Sequence, residues 1–167
     1  MAEITFSKKS LERYEWLLTR YPSKEAVLLP ALHLAEEEFE NIGVKEMKYV
    51  ADLIGIPPAR VYGVLTFYTH FRRAGCGKYH IQVCSTLSCA LRGSHEVYQR
   101  ISERLGIEAG ETTPCGRFTL SKVECLGSCD TAPMLQMNDD YHEGLDLELV
   151  DQLIEQWRAE LPEGGSS

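Results

Sequence analysis

The sequence lacks the residue patterns that commonly mark a self-sufficient enzyme. It contains neither the G-x-G-x-x-G turn that binds dinucleotides nor the G-x-x-x-x-G-K-[ST] loop that cradles phosphates. It has no Cys-x-x-Cys dithiol of the kind used in disulfide exchange. Its five histidines are scattered, and no Ser/His/Asp arrangement stands out. The chain therefore has no evident nucleotide cradle and no evident catalytic triad of its own.

Excess positive charge and long apolar runs are also missing. The formal net charge is -8 over 167 residues, which argues against a nucleic-acid-binding protein. No stretch approaches the apolar length of a membrane span, so direct membrane insertion is not expected. Residues 1–10 lack the apolar core of a secretory signal and the arginine content of a transit peptide. We therefore expect a cytoplasmic, bacterial protein whose six cysteines stay reduced instead of forming three disulfides.

The first part of the chain, residues 1–73, has the periodicity of helices and is predicted to be a helical domain. Ser10 is a candidate cap of the first helix, and Ser23 is a candidate cap of the second. Because Pro30 lacks an N–H, it must kink the second helix or restart it. Gly43 is predicted to close that helix.

Two shorter helices are predicted to follow. The third stops at Gly55, and the fourth starts at Pro57-Pro58. Four aromatic residues in and after the fourth helix are interpreted as core or interface residues, although stacking on a flavin or a base is an alternative. They are Tyr62, Phe67, Tyr68 and Phe71. His33 and the acidic run 36–38 are interpreted as a solvated helix face and not as a metal site.

The periodicity changes after a linker at residues 72–77, so a second domain is predicted over residues 74–161. The alternation in residues 79–83 predicts a strand with one buried face. A helix capped by Ser94 and closed by Gly106 is expected next.

The rest of the second domain is predicted to be three strands and a helix. One strand runs through Phe118 to Val123, and a short third strand turns back into a fourth near Tyr141. Asp146 is a candidate cap of the last helix. The glycine- and serine-rich residues 162–167 are expected to be a disordered tail. The fold class is therefore α+β, with an N-terminal helical bundle before the strand-containing domain.

Four cysteines form two pairs, and each pair follows a strand-like stretch. Cys84 and Cys89 are separated by four residues, and Cys125 and Cys129 by three. Four thiolates from two loops suit either zinc or an iron–sulfur cluster. Structural zinc sites mostly use tighter two-residue gaps, whereas a four-residue gap occurs among ligands of [2Fe-2S] clusters. The spacing favours iron–sulfur and leaves zinc open.

Three stretches of the sequence resemble one family closely. They are RVYGVLTFY at residues 60–68, GKYHIQVC at 77–84 running into Ser88-Cys89, and ECLGSCDTAP at 124–133. They resemble the 24-kDa subunit of respiratory complex I, also called the E subunit of bacterial NADH:quinone oxidoreductase. The resemblance runs from about Leu11 to Trp157.

The resemblance implies a thioredoxin-like α/β domain whose four cysteines hold a [2Fe-2S] cluster. By resemblance, Cys84, Cys89, Cys125 and Cys129 are the ligands. The implied role is electron transfer as a non-catalytic subunit of an NADH dehydrogenase, peripheral to the inner membrane on its cytoplasmic side. FMN and NADH are expected on a larger partner subunit. NAD-linked hydrogenases, formate dehydrogenases and a zinc-stapled scaffold remain alternatives.

The loops around the four cysteines suit an anionic cluster. Residues 85–88 and 126–128 offer backbone N–H groups, and Gly127 permits close approach of the main chain. The hydroxyls of Ser85, Thr86, Ser88 and Ser128 are expected either to donate to sulfur or to cap turns. Cys76 and Cys115 have no partner at ligand spacing and are interpreted as free thiols. The family usually has an acidic residue in place of Cys115, so the chain departs from the family there.

Overall fold

The computed structural model of the chain describes residues 4–160, and the predicted tail at 162–167 lies outside this range. The chain divides into two compact units, Met1–Gly75 and Cys76–Ser167, each with its own apolar core. All six cysteines are free of disulfide bonds.

The first unit contains four α-helices within the described residues. They are α1 (Lys8–Leu18), α2 (Leu28–Phe39), α3 (Val44–Ile54) and α4 (Pro58–Phe67), with a 3₁₀ turn at Glu25–Val27 before α2. Their apolar faces meet in a core that includes Val27, Leu32, Ala35, Val50, Val61 and Leu65. The predicted ends at Gly55 and Pro57-Pro58 are confirmed, with Gly55 in the left-handed conformation that glycine tolerates.

The predicted cap at Ser10 is wrong by one turn. Helix α1 is capped by Ser7, whose hydroxyl accepts from the Ser10 amide. The Ser10 hydroxyl instead donates to Glu38 at 2.5 Å. A serine at either position has the chemistry of a cap, so the sequence alone could not choose between them.

Pro30 lies in the first turn of α2, so the helix restarts after the 3₁₀ turn, one of the two predicted outcomes. Gly43 does not close α2, which ends at Phe39. Gly43 is extended and is the cap residue before α3, and its N–H donates to the Glu46 side chain at 2.9 Å. Gly43 therefore belongs to the start of α3 and not to the end of α2, because the carboxylate that accepts from its amide lies in the first turn of α3.

The acidic run on α2 is more than a solvated face. The Glu36 side chain is only 14% exposed, and its carboxylate accepts from the Arg72 main-chain N–H at 2.5 Å. The following residue, Glu37, pairs with Arg13 at 2.7 Å on the surface. The solvated interpretation is therefore wrong for Glu36, whose partner is distant in sequence.

Helices α3 and α4 together reach the length and composition of a membrane span only as a pair bent by 119°, and no single helix within residues 4–160 does so.

The second unit contains a four-stranded sheet in the order β2-β1-β3-β4. The strands are β1 (Tyr79–Cys84), β2 (Phe118–Val123), β3 (Leu135–Met137) and β4 (Asp140–His142). Strand β2 is parallel to β1, and β3 and β4 are added antiparallel. A short helix, α5 (Leu87–Leu91), follows β1. Helices α6 (Ser94–Leu105) and α7 (Leu147–Ala159) share one core with the apolar residues of this sheet.

Strand β1 differs from its prediction because all six of its residues are buried. The polar residues of its second face, His80 and Gln82, are 8% and 4% exposed. His80 Nε2 lies 2.8 Å from Ser121 Oγ on β2. The alternation in the sequence therefore marks the polarity of each face and not its exposure to water.

The helices of the second unit begin and end mostly as predicted. Gly106 closes α6, as predicted. The predicted cap at Ser94 is wrong by one residue, because Gly93, with a positive φ, is the cap and Ser94 is the buried first residue of the helix. Asp146 caps α7 by accepting from the Leu149 amide at 2.8 Å, as predicted. Helix α5, which contains Cys89, is absent from the sequence-based prediction.

Candidate metal centre

The two cysteine pairs follow neighbouring parallel strands. Cys84 is the last residue of β1 and is paired in register with Val123, the last residue of β2. Cys89 lies in α5, and Cys129 begins a 3₁₀ turn at Cys129–Thr131. Because parallel strands end at the same edge of a sheet, both pairs lie at one edge.

The thiols interact in two pairs, Cys84 with Cys89 and Cys125 with Cys129. The Cys84 thiol donates to the Glu124 carbonyl at 3.0 Å. Cys129 also lies close enough to Cys84 and Cys89 for their charges to interact. The structure thus places all four predicted residues near one another at this sheet edge. Within residues 4–160, however, three or more of these side chains do not converge closely enough to form a metal-binding group.

The pairs differ in their surroundings. Cys84 and Cys89 are buried beside Ala132 and Met134, with Leu126 partly buried against them. Cys125 and Cys129 are exposed. The site therefore has an apolar inner side and a solvent-facing outer side.

Main-chain amides from both loops reach the buried sulfur atoms. Burial raises the pKa of Cys84, but N–H groups of Thr86 and Leu126 and the Cys89 thiol outweigh it, so the pKa lies below its ordinary value. For Cys89, burial and the bond to Cys84 raise the pKa, although the Met134 amide acts in the opposite direction. Donation by amides is what a negatively charged set of thiolates needs.

Among the outer thiols, Cys129 has a pKa above its ordinary value. The hydrogen bond and the charge of Cys125 raise the pKa of Cys129, while the Ser88 hydroxyl lowers it. Two of the predicted hydroxyls therefore act on a sulfur, Ser88 on Cys129 and Thr86 on Cys84. Ser85 instead donates to the Val123 carbonyl at 2.9 Å.

Four thiols in two pairs, with amide donors around them, fit a [2Fe-2S] cluster, in which each iron takes two cysteine ligands. The hydroxyls of Ser85 and Ser128 bond to oxygen instead, as in the predicted turn-capping role. The Met134 amide was not predicted as a donor, because nothing near it in the sequence indicates the proximity of Cys89.

A second layer of contacts comes from residues after β3. The Tyr141 hydroxyl donates to the Leu126 carbonyl at 2.7 Å. Glu143 accepts hydrogen bonds from the hydroxyls of Ser128 and Thr131, which hold the pKa of its carboxyl below the ordinary value. Sequence reasoning missed these residues, since the carboxylate and the loop are far apart in the chain and share no local pattern.

The other two cysteines have different surroundings. Cys115 is exposed in the turn before β2, where its sulfur is 3.4 Å from the Thr113 hydroxyl and accepts from Arg117 Nε at 3.4 Å. These hydrogen bonds lower the pKa of Cys115 to about 7. Cys76 is partly exposed at the start of the second unit.

Comparison with known proteins identifies the family of the chain. The family model described as thioredoxin-like [2Fe-2S] ferredoxin matches residues 14–158. The chain belongs to the thioredoxin-like [2Fe-2S] ferredoxin family. This membership confirms the predicted α+β class with a thioredoxin-like fold, and it supports an iron–sulfur cluster over zinc.

Relatives of this thioredoxin-like [2Fe-2S] ferredoxin cover nearly its whole length. It is 42% identical over 148 residues to the second of the E subunits of NADH-quinone oxidoreductase in Rhizobium meliloti (strain 1021), covering 89% of this chain and 88% of that one. It is 41% identical to the NADH-quinone oxidoreductase E subunit of Rickettsia conorii (strain ATCC VR-613 / Malish 7), and the match covers 93% of this chain and 95% of that one. The predicted resemblance to this subunit is thus confirmed.

The fold also occurs inside a larger protein. The crystal structure of an NAD⁺-reducing [NiFe]-hydrogenase in the air-oxidized state contains a chain that is similar with a TM-score of 0.72 and 24% identity. The match covers 81% of this ferredoxin but only 23% of the hydrogenase chain. At this identity the likeness shows a shared fold alone.

Proposed function

We propose that this chain is the electron-transfer subunit of an NADH dehydrogenase module, carrying a [2Fe-2S] cluster on Cys84, Cys89, Cys125 and Cys129. The cluster exchanges single electrons with FMN on a partner subunit. The observation that carries the proposal is the meeting of two cysteine pairs at one sheet edge, in a chain 42% identical to an E subunit of NADH-quinone oxidoreductase.

Each cysteine pair is assigned to one iron, following the pairing of the thiols. When bound, the cluster supplies a carrier that takes up one electron at a time. The amides of Thr86, Leu126 and Met134 offset the negative charge of the thiolates. The apolar side chains beside Cys84 and Cys89 exclude water from the inner half of the site.

The oxidation of NADH belongs to the partner in this proposal. NADH delivers two electrons as a hydride, so a flavin must stand between it and a one-electron carrier. The sequence has neither glycine-rich loop for a nucleotide. The chain alone is therefore expected to bind neither FMN nor NADH appreciably.

The surface of the first unit is our candidate for part of the contact with the flavin-bearing partner. Phe67 and Tyr62 are 76% and 55% exposed, and Tyr68 is 36% exposed. Phe71, from the same aromatic group, is buried in the core of this unit. Exposed aromatic groups of this kind are typical of protein interfaces. The assembly is proposed to lie at the cytoplasmic face of the inner membrane.

The proposal is tested on protein purified without oxygen. We expect about two irons and two sulfides per chain, and a rhombic S = 1/2 signal after reduction. A colourless protein with one zinc per chain would overturn it. Co-expression with the neighbouring genes should yield NADH-dependent dye reduction only with the flavin-bearing subunit. The partner that co-purifies separates a complex I module from a hydrogenase or a formate dehydrogenase.

A further inference from the structure

The segment at residues 141–145 runs beside the loop that carries the outer cysteines. Besides the bond from Tyr141 to Leu126, the Gly144 amide donates to the Thr131 carbonyl at 2.7 Å. The Leu145 amide donates to the Pro133 carbonyl at 3.0 Å. The loop is thus fastened along its length to a segment that contains no cysteine.

Glu143 makes the side-chain part of this attachment. Its Oε1 accepts from the Thr131 hydroxyl at 2.8 Å and from the Ser128 hydroxyl. The two hydroxyl oxygens lie 2.8 Å from each other. Ser128 directly precedes Cys129, and Thr131 ends the 3₁₀ turn that Cys129 begins. One carboxylate therefore holds both sides of a cysteine that is itself exposed.

We propose that Glu143 is a positioning residue of the iron–sulfur site, which holds the loop of Cys125 and Cys129 in the conformation that binds the cluster. This inference rests on the proposed function, because it requires Cys125 and Cys129 to be ligands. Glu143 acts through Ser128 and Thr131 and does not touch a cysteine in the contacts described above.

The proposed role has two consequences. Outer residues that orient metal ligands typically change metal affinity 10–100-fold when they are altered. The carboxylate also places a negative charge beside a site that becomes more negative on reduction, so it holds the reduction potential down. Substitution of a residue that served only the fold would change the affinity for the cluster through overall stability, and it would leave the reduction potential unchanged.

The test compares Glu143→Ala and Glu143→Gln with a matched control, Asp139→Asn. Asp139 is an exposed carboxylate at the opposite end of the β3–β4 hairpin, so its substitution removes the same charge far from the loop. Cluster loss to a chelator is followed by visible absorbance in the full chain. We expect loss about 10–100-fold faster in Glu143→Ala. Glu143→Gln should be intermediate, because its amide oxygen still accepts a hydrogen bond.

Two further readouts separate positioning from folding. The midpoint potential should rise in both Glu143 variants and stay near that of the parent protein in Asp139→Asn. Hydrogen exchange of the amides at residues 126–131, measured on the cluster-free chain, should be faster in Glu143→Ala than in the control. If Glu143→Ala does not fold, the near-isosteric Glu143→Gln decides.

The outcomes keep the two proposals apart. Parent protein without iron and sulfide would refute the assignment of the cluster and, with it, this inference. A second result is that the parent protein loads its cluster normally while both Glu143 variants lose it at the same rate, and have the same potential, as Asp139→Asn. That result would overturn the role of Glu143 alone. Unchanged exchange at residues 126–131 would likewise show that the carboxylate does not hold the loop.

Discussion

Tyr141 and Leu126 are joined by a hydrogen bond of 2.7 Å between the phenol hydroxyl and the main-chain carbonyl. The N–H of Leu126 lowers the pKa of Cys84, and the Leu126 side chain is partly buried against the inner cysteines. Leu126 therefore links the loop of the outer cysteines to the inner pair, and Tyr141 on β4 fixes its position.

The first prediction concerns this bond. Tyr141→Phe should lower the free energy of unfolding of the second unit by about 0.5–1.5 kcal/mol, the usual contribution of one hydrogen bond. Chemical denaturation can be followed by Trp157 fluorescence in a Trp16→Phe background, because Trp157 is buried in that unit and the chain has only two tryptophans. Tyr62→Phe, which removes an exposed hydroxyl of the first unit, is the control. Equal effects of the two substitutions would show that the bond contributes nothing.

The second prediction separates cluster ligands from other cysteines. Replacement of Cys84, Cys89, Cys125 or Cys129 by alanine should abolish the cluster or leave it severely unstable, because one of its irons would lose a ligand. Cys76→Ala and Cys115→Ala should retain it. Iron and sulfide analysis decides. Full loading of Cys125→Ala together with loss in Cys115→Ala would mean that the fourth ligand is wrongly assigned.

The third prediction concerns the reactivity of Cys115. Its pKa is lowered to about 7 by hydrogen bonds with Thr113 and Arg117, so half of the thiol is ionised near neutral pH. Since the thiolate is the nucleophile, its alkylation rate should rise through a midpoint near pH 7 and level off above it. Mass spectrometry after iodoacetamide pulses measures this rate.

Arg117→Gln should move the alkylation midpoint of Cys115 to higher pH, because a positively charged donor to the thiolate is lost. Arg20→Gln, in the first unit, serves as a control that removes the same charge elsewhere. A midpoint that does not move in Arg117→Gln would show that the contact with Arg117 is not formed in solution.

The fourth prediction concerns the start of α7. Asp146→Ala should cost about 1 kcal/mol of stability, within the range of roughly 0.5–2 kcal/mol known for such caps. Asp146→Asn should retain most of it, because the side-chain oxygen still accepts from the Leu149 amide. The Trp157 fluorescence assay applies here as well. An alanine variant as stable as the asparagine variant would argue against capping.

Local signals explain what could be predicted from the sequence. Asp146, Gly55 and Gly106 are capping residues with direct geometric reasons, and the structure has each at the expected helix end. Cys84 and Cys125 stand out because thiol spacing is itself a chemical constraint. These features depend on a few consecutive residues.

Features that depend on distant residues could not be predicted. Helix α5 is five residues long, too short to show a helical period. The contact of Glu143 with Ser128 forms only when β4 returns beside the ligand loop. The burial of Gln82 likewise depends on what covers the second face of β1, and a polar residue carries no signal for that.

The unequal exposure of the cysteine pairs gives the proposed site a front and a back. Oxidants and chelators meet Cys125 and Cys129 before they meet the buried Cys84 and Cys89. Iron and sulfide delivered during assembly would arrive from that same side. Loss and assembly of the cluster would therefore take place through the same exposed side, and a partner that covers this side would slow both processes.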